Sequence, residues 1–258
     1  MLEINGHQYK LVYIDTNCIN EISKNTKGVG RNFLERYADG KHMFVTSCFN
    51  IYELSKSNGE SRKAIVDIFE NLPLAIIYVF PQITILEKQY TDLHEKIIML
   101  TLGMKPLFKT QLNDIFKSMN GPEWQKTIQE MSYNFQKEIK YCNDNRNNYN
   151  WQKDFSNNLL KTMNDTLNIY LENENISSFG KYKSLEILSY VKNQFIYSSS
   201  KKIEMNSIID CYNASALPYV EEYITERTVG SWLEMAKNRF EYIKDKKIIK
   251  ISNLYDEE

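Results

Sequence analysis

Four acidic residues stand out by where they fall in the chain. Asp15 ends the apolar run Y-K-L-V-Y-I at Tyr9 to Ile14, and Glu226 follows the short run ending Y-I-T at Thr225. Glu53 and Asp210 lie inside helical patterns almost free of charge, V-T-S-C-F-N-I-Y-E-L at Val45 to Leu54 and S-I-I-D-C-Y-N-A-S-A-L-P at Ser207 to Pro218. Each has an ordinary explanation. An Asp after a strand commonly caps a helix, and an acid at a helix start suits the helix dipole. An acid within a helix is commonly a solvated face or is satisfied by backbone amides. Taken together, the four point to one chemistry. Carboxylates brought close repel one another unless a cation lies among them, and hard divalent ions take oxygen ligands. Mg²⁺ keeps several waters and binds through few carboxylates plus substrate phosphate, which suits such a set. Only His7, His42 and His94 are present, so hydrolysis is expected to rely on carboxylates rather than imidazole. Asn17, two residues after Asp15, either supports it or satisfies a turn. Ala214, one helical turn after Asp210, leaves room for a substrate backbone to approach.

For these acids to meet, the segments that carry them must be neighbours. Tyr9 to Ile14, Met43 to Thr46, Leu74 to Phe80, Glu222 to Thr225 and Lys247 to Ile251 have strand character, and helical patterns alternate with them. Short strands alternating with helices predict an α/β fold with a parallel sheet, whose ligands bind at the carboxyl ends of the strands. Asp15 and Glu226 fall at such ends. From Ile83 to about Ser200 the apolar residues recur at helical spacing, among them Leu86, Tyr90, Leu93, Ile97 and Leu100, then Ile128, Met131, Phe135 and Ile139. Breaks at Gly121-Pro122, Asn143 to Asn150 and Ser177 to Gly180 divide this stretch, with the Asn-rich one expected to be a surface loop. The expected organisation is therefore a sheet domain from residues 1–90 and 201–258, with a large all-helical insertion over 91–200.

Composition narrows the classes further. The 258 residues are 42% hydrophobic with 9 Gly and 5 Pro, enough for a sizeable core and too few turn formers for a loop-rich all-β fold. A net charge of -1 excludes a strongly basic nucleic-acid coat, though not a local basic groove. Lys181 to Lys183 and Lys201-Lys202 are candidates for such a contact, with a solvated face as the plainer reading. Cys18, Cys48, Cys142 and Cys211 lack metal-ligand spacing, which predicts buried, reduced thiols. The start of the chain carries no secretory pattern and the longest apolar run, Leu72 to Phe80, is too short to span a bilayer. A cytoplasmic protein with no membrane partner is expected.

The chain resembles the PIN-domain (PilT N-terminus-like) nucleases. The resemblance rests on Y-I-D-T-N at Tyr13 to Asn17, V-T-S-C-F-N-I-Y-E-L at Val45 to Leu54, and I-I-D-C-Y-N-A-S-A-L-P-Y-V-E-E-Y-I-T-E-R at Ile208 to Arg227. It covers roughly the first ninety and last sixty residues. It implies a Rossmann-related sheet and a Mg²⁺- or Mn²⁺-dependent endoribonuclease that needs no covalent nucleophile. Carried over, Asp15, Glu53, Asp210 and Glu226 are the catalytic and metal-binding acids, and Asn17, Thr225 and Glu221 are supports. Glu226 stands where many relatives have Asp; in a T-x-D register Arg227 takes that place instead. The resemblance also implies an RNA substrate and, as for small toxin-type members, a cognate inhibitor (antitoxin) protein and a homodimer. The extended helical insertion is either a binding surface or a structural cap. Two rivals remain. A haloacid-dehalogenase-like phosphatase needs a second Asp where Asn17 stands, and a catalytically inactive PIN-like module would bind RNA or protein without cutting it.

Overall fold

The strand patterns assemble around the first long one. A computed structural model describes residues 1–4, 6–146, 151–170, 175–198 and 202–255. The chain runs β1 (Leu2–Ile4), β2 (His7–Ile14), α1 (Thr16–Lys24), α2 (Val29–Tyr37), β3 (His42–Ser47), α3 (Cys48–Ser55), α4 (Gly59–Phe69), β4 (Leu74–Ile77) and α5 (Phe80–Gln89). It continues β5 (Ile98–Leu102), α6 (Phe108–Met119), α7 (Pro122–Asp144), α8 (Phe155–Tyr170), α9 (Lys183–Ser198), α10 (Met205–Ala214), β6 (Glu222–Thr225), α11 (Arg227–Ala236) and β7 (Lys247–Lys250). The seven-stranded sheet has the order β5-β4-β3-β2-β6-β7, with β1 paired to β2. β2, β3, β4, β6 and β7 are parallel, while β1 and β5 run antiparallel to their neighbours. The chain leaves β2 toward β3 on one side and returns to its other side as β6. That reversal opens a crevice at the carboxyl ends of β2 and β6, where ligands bind in sheets of this kind.

Side chains alternate across the sheet with the two-residue period of a strand and fill two cores. Leu11 and Tyr13 of β2, Val45 of β3, Ala75 and Ile77 of β4 and Tyr223 of β6 face one. Val12, Ile14, Phe44, Leu74, Ile76 and Ile224 face the other. Helices α1, α2, α3, α4 and α6 cover the second face; α5 and α7 to α11 cover the first. The α/β class and the parallel sheet are therefore as expected, and so are β2, β3, β6 and β7 to within a residue or two. All four cysteines are free and buried. Among the described residues no helix is long and apolar enough to cross a membrane.

The middle of the chain departs from the expected insertion in two ways. Leu93, Ile97 and Leu100 fit helical spacing, but Ile98–Leu102 is a strand, pairing antiparallel with β4. A free sheet edge at β4 offers backbone partners that periodicity cannot see, and these outweigh local spacing. Residues of 91–200 also pack into the two cores of the sheet. Phe135, Leu159, Met163, Leu185 and Val191 share one core with Leu11, Tyr13 and Tyr223, and Leu112 and Phe116 share the other with Val12 and Ile14. Within α9 every residue from Ser184 to Gln194 is buried. Its buried Lys, Lys192, is paired with Glu138 of α7 and also donates to Thr166 Oγ1 at 2.7 Å. Burial pulls the lysine's pKa down most strongly of any single effect, but the charge and hydrogen bond of Glu138, with smaller contributions from Cys142 and Cys211, together raise it and keep the ammonium charged. Glu138 accepts in addition from the Tyr170 and Tyr212 hydroxyls. Part of the Asn-rich stretch, 147–150, and Lys201 lie outside the described residues, and α7 already includes Asn143 and Asp144.

Candidate functional site

Each acid is placed by the element before it. β2 ends at Ile14, and Asp15 then caps α1 in an extended conformation, its Oδ1 accepting from the Cys18 N–H at 2.9 Å. β6 ends at Thr225, and Glu226 stands at the cap position of α11 without a side-chain cap bond. Its Oε1 instead accepts from Asn17 Nδ2 at 2.8 Å, so the D-T-N turn holds the fourth acid in place. Ser47 caps α3 through its hydroxyl, which starts that helix at the carboxyl end of β3 and carries Glu53 along it. Asp210 sits in the middle of α10. Glu53 and Asp210 are half-buried, and Asp15 is buried.

All four line a single cavity of about 190 Å³, together with Asn17 and Asn213. Among the described residues none of its lining side chains is Lys, Arg or His. The charges interact accordingly. Asp210 is pushed up to about 8, first by burial and then by the negative charges of Asp15, Glu226 and Glu53. Asp15 is raised by burial and by Glu226, against the lowering effect of hydrogen bonds from Cys18 and Thr225. Residues from both ends of the chain are thus brought together, and the register that places Glu226 rather than Arg227 at the cavity is the one observed.

The supports divide. Asn17 donates to Glu226 rather than to Asp15, and Thr225 contacts Asp15. Glu221 contacts neither acid. It precedes β6 and so lies at the opposite, amino edge of the sheet, where Oε2 accepts from the Leu11 N–H at 2.7 Å and Oε1 from the N-terminal amine at 3.0 Å. Strand direction separates Glu221 from Glu226. Asn206 and Asn213 line the cavity and were not singled out by sequence. Their signal was spacing: four residues before and three after Asp210, on its face of the helix.

The donor set is all oxygen, which matches a hard divalent ion. Among the described residues no three His, Cys, Asp or Glu side chains are grouped to hold an ion as they stand. An ion that keeps most of its waters needs only one or two direct carboxylates. Compared with protein-family models, curated proteins and solved structures, the chain matches none.

Proposed function

We propose that the chain is a PIN-like, Mg²⁺- or Mn²⁺-dependent endoribonuclease. The observation that carries this reading is the convergence of Asp15, Glu53, Asp210 and Glu226 on one cavity without a lining cation, at the crevice between β2 and β6. Those four acids would hold the ion, which when bound supplies an acidified water and neutralises charge on the phosphate. The remaining work falls to the chain. Thr225 and the α1 cap fix the Asp15 carboxylate, and the Asn17 amide fixes Glu226. Hydrolysis forms a bond from water oxygen to phosphorus and breaks the bond from phosphorus to a ribose oxygen, which takes up a proton. The test is cleavage of total RNA with Mn²⁺ or Mg²⁺, with and without EDTA, by the wild type and by Asp15→Asn and Asp210→Asn. Cleavage that needs the ion and both acids is expected. Undiminished cleavage by both variants would remove the proposal, and no cleavage by the wild type would favour a binding module instead.

A further inference from the structure

Behind the acids lies a set of buried polar side chains that the proposed reaction does not use. Asn50 of α3 lies three residues before Glu53, and Asn213 of α10 lies three residues after Asp210, each one helical turn from an acid. Both amides are buried. Asn213 Nδ2 donates to Asn50 Oδ1 at 3.0 Å, joining the two helices directly. Asn50 Nδ2 in turn lies 2.9 Å from Thr46 Oγ1, 3.1 Å from the Tyr13 hydroxyl and 3.2 Å from the Ile14 carbonyl oxygen. Asn213 Oδ1 accepts from the Ser47 hydroxyl at 2.9 Å.

The arrangement has one consistent polarity. The Ile14 carbonyl can only accept, so the Asn50 NH₂ must face it and the Asn50 oxygen must face α10. Asn213 then has to present its NH₂ to Asn50, which leaves its oxygen toward Ser47, whose hydroxyl must donate. A chain of donors thus starts at the residue preceding Asp15 and ends on the two helices carrying Glu53 and Asp210. An apolar pair could fill the same space, but packing tolerates sliding, whereas a hydrogen bond holds its distance within a few tenths of an ångström. We propose that the Asn50–Asn213 amide pair is the positioning element that sets the separation of Glu53 and Asp210 from each other and from Asp15. The inference rests on the reading that these acids hold a divalent ion.

Mn²⁺ titration of the purified full chain, followed by calorimetry, tests it, with near-ultraviolet circular dichroism to establish folding. Asn213→Ala is expected to weaken Mn²⁺ binding at least tenfold while remaining folded. Asn213→Ser, which keeps a polar group in the gap, guards against a variant that fails to fold. Glu53→Gln weakens binding by removing one acid, and adding Asn213→Ala to it is expected to cause a smaller further loss than Asn213→Ala causes alone, because only the Asp210–Asp15 separation is then left to set. Binding by folded Asn213 variants equal to wild type, or losses that simply multiply in the double variant, would overturn the positioning role while leaving the metal site standing. A wild type that binds no Mn²⁺ would overturn the functional reading, and this inference with it.

Discussion

Replacing Asp210 by Asn should abolish ion-dependent cleavage and, with no ion present, make the protein more stable. Asp210 is raised from an ordinary 3.8 to about 8 by burial and by three neighbouring acids. Between those values the fold keeps a proton that the unfolded chain has released, so stability falls as pH rises through the window. Each pH unit contributes about 1.4 kcal/mol, which sets a ceiling of about 4 kcal/mol at pH 7. Partial exposure of the carboxylate and relaxation of its neighbours bring the expectation to about 2–3 kcal/mol. Asn keeps the shape and removes the charge. In EDTA, urea unfolding at pH 7 should therefore show Asp210→Asn more stable by that amount, with a melting temperature higher by roughly 5–10 °C for a chain of this size. The difference should shrink toward pH 4, and added Mg²⁺ should stabilise the wild type more than the variant. Equal stability of the two proteins at pH 7 in EDTA, with parallel pH dependence, would refute the claim that the four acids share one site.

Other outcomes follow from particular contacts. Glu221→Ala should leave RNA cleavage unchanged and lower urea stability by about 1–2 kcal/mol, since it removes a partner of the Leu11 N–H and not a site residue. Lys192→Met should destabilise by about 3–5 kcal/mol in urea unfolding, because Glu138 is left buried without its counter-charge; adding Glu138→Leu should restore part of the loss. Glu87, which accepts from the Ser184 N–H at 2.7 Å, is raised by burial from 4.5 to about 7. Its contribution is lost as pH rises through that window, by up to about 3 kcal/mol, and Glu87→Gln should flatten that part of the stability profile measured by thermal unfolding.

Much of the site was legible because its signals are local. The apolar run ending on Asp15 and the charge-free surroundings of Glu53 and Asp210 can both be read within about ten residues. What could not be read depends on partners distant in sequence. Leu93, Ile97 and Leu100 satisfy helical spacing, yet Ile98–Leu102 takes the free edge of β4 instead. Glu221 and Glu226 look alike as acids flanking a strand, and only the strand's direction in the sheet puts them at opposite ends. The Asn50–Asn213 bond spans 163 positions, and Asn inside a helix gives no hint of such a partner. The supposed insertion shares its apolar residues with the sheet, which no composition shift could announce.

Because β2 pairs with β3 on one side and β6 on the other, the acids cannot be assembled from a partly made chain. During synthesis Asp15 and Glu53 emerge early, but Asp210 and Glu226 follow more than 150 residues later. A growing polypeptide on the ribosome therefore lacks part of the set until α10 and β6 have left the exit tunnel. Any activity that depends on the full set is withheld from the nascent chain until that point.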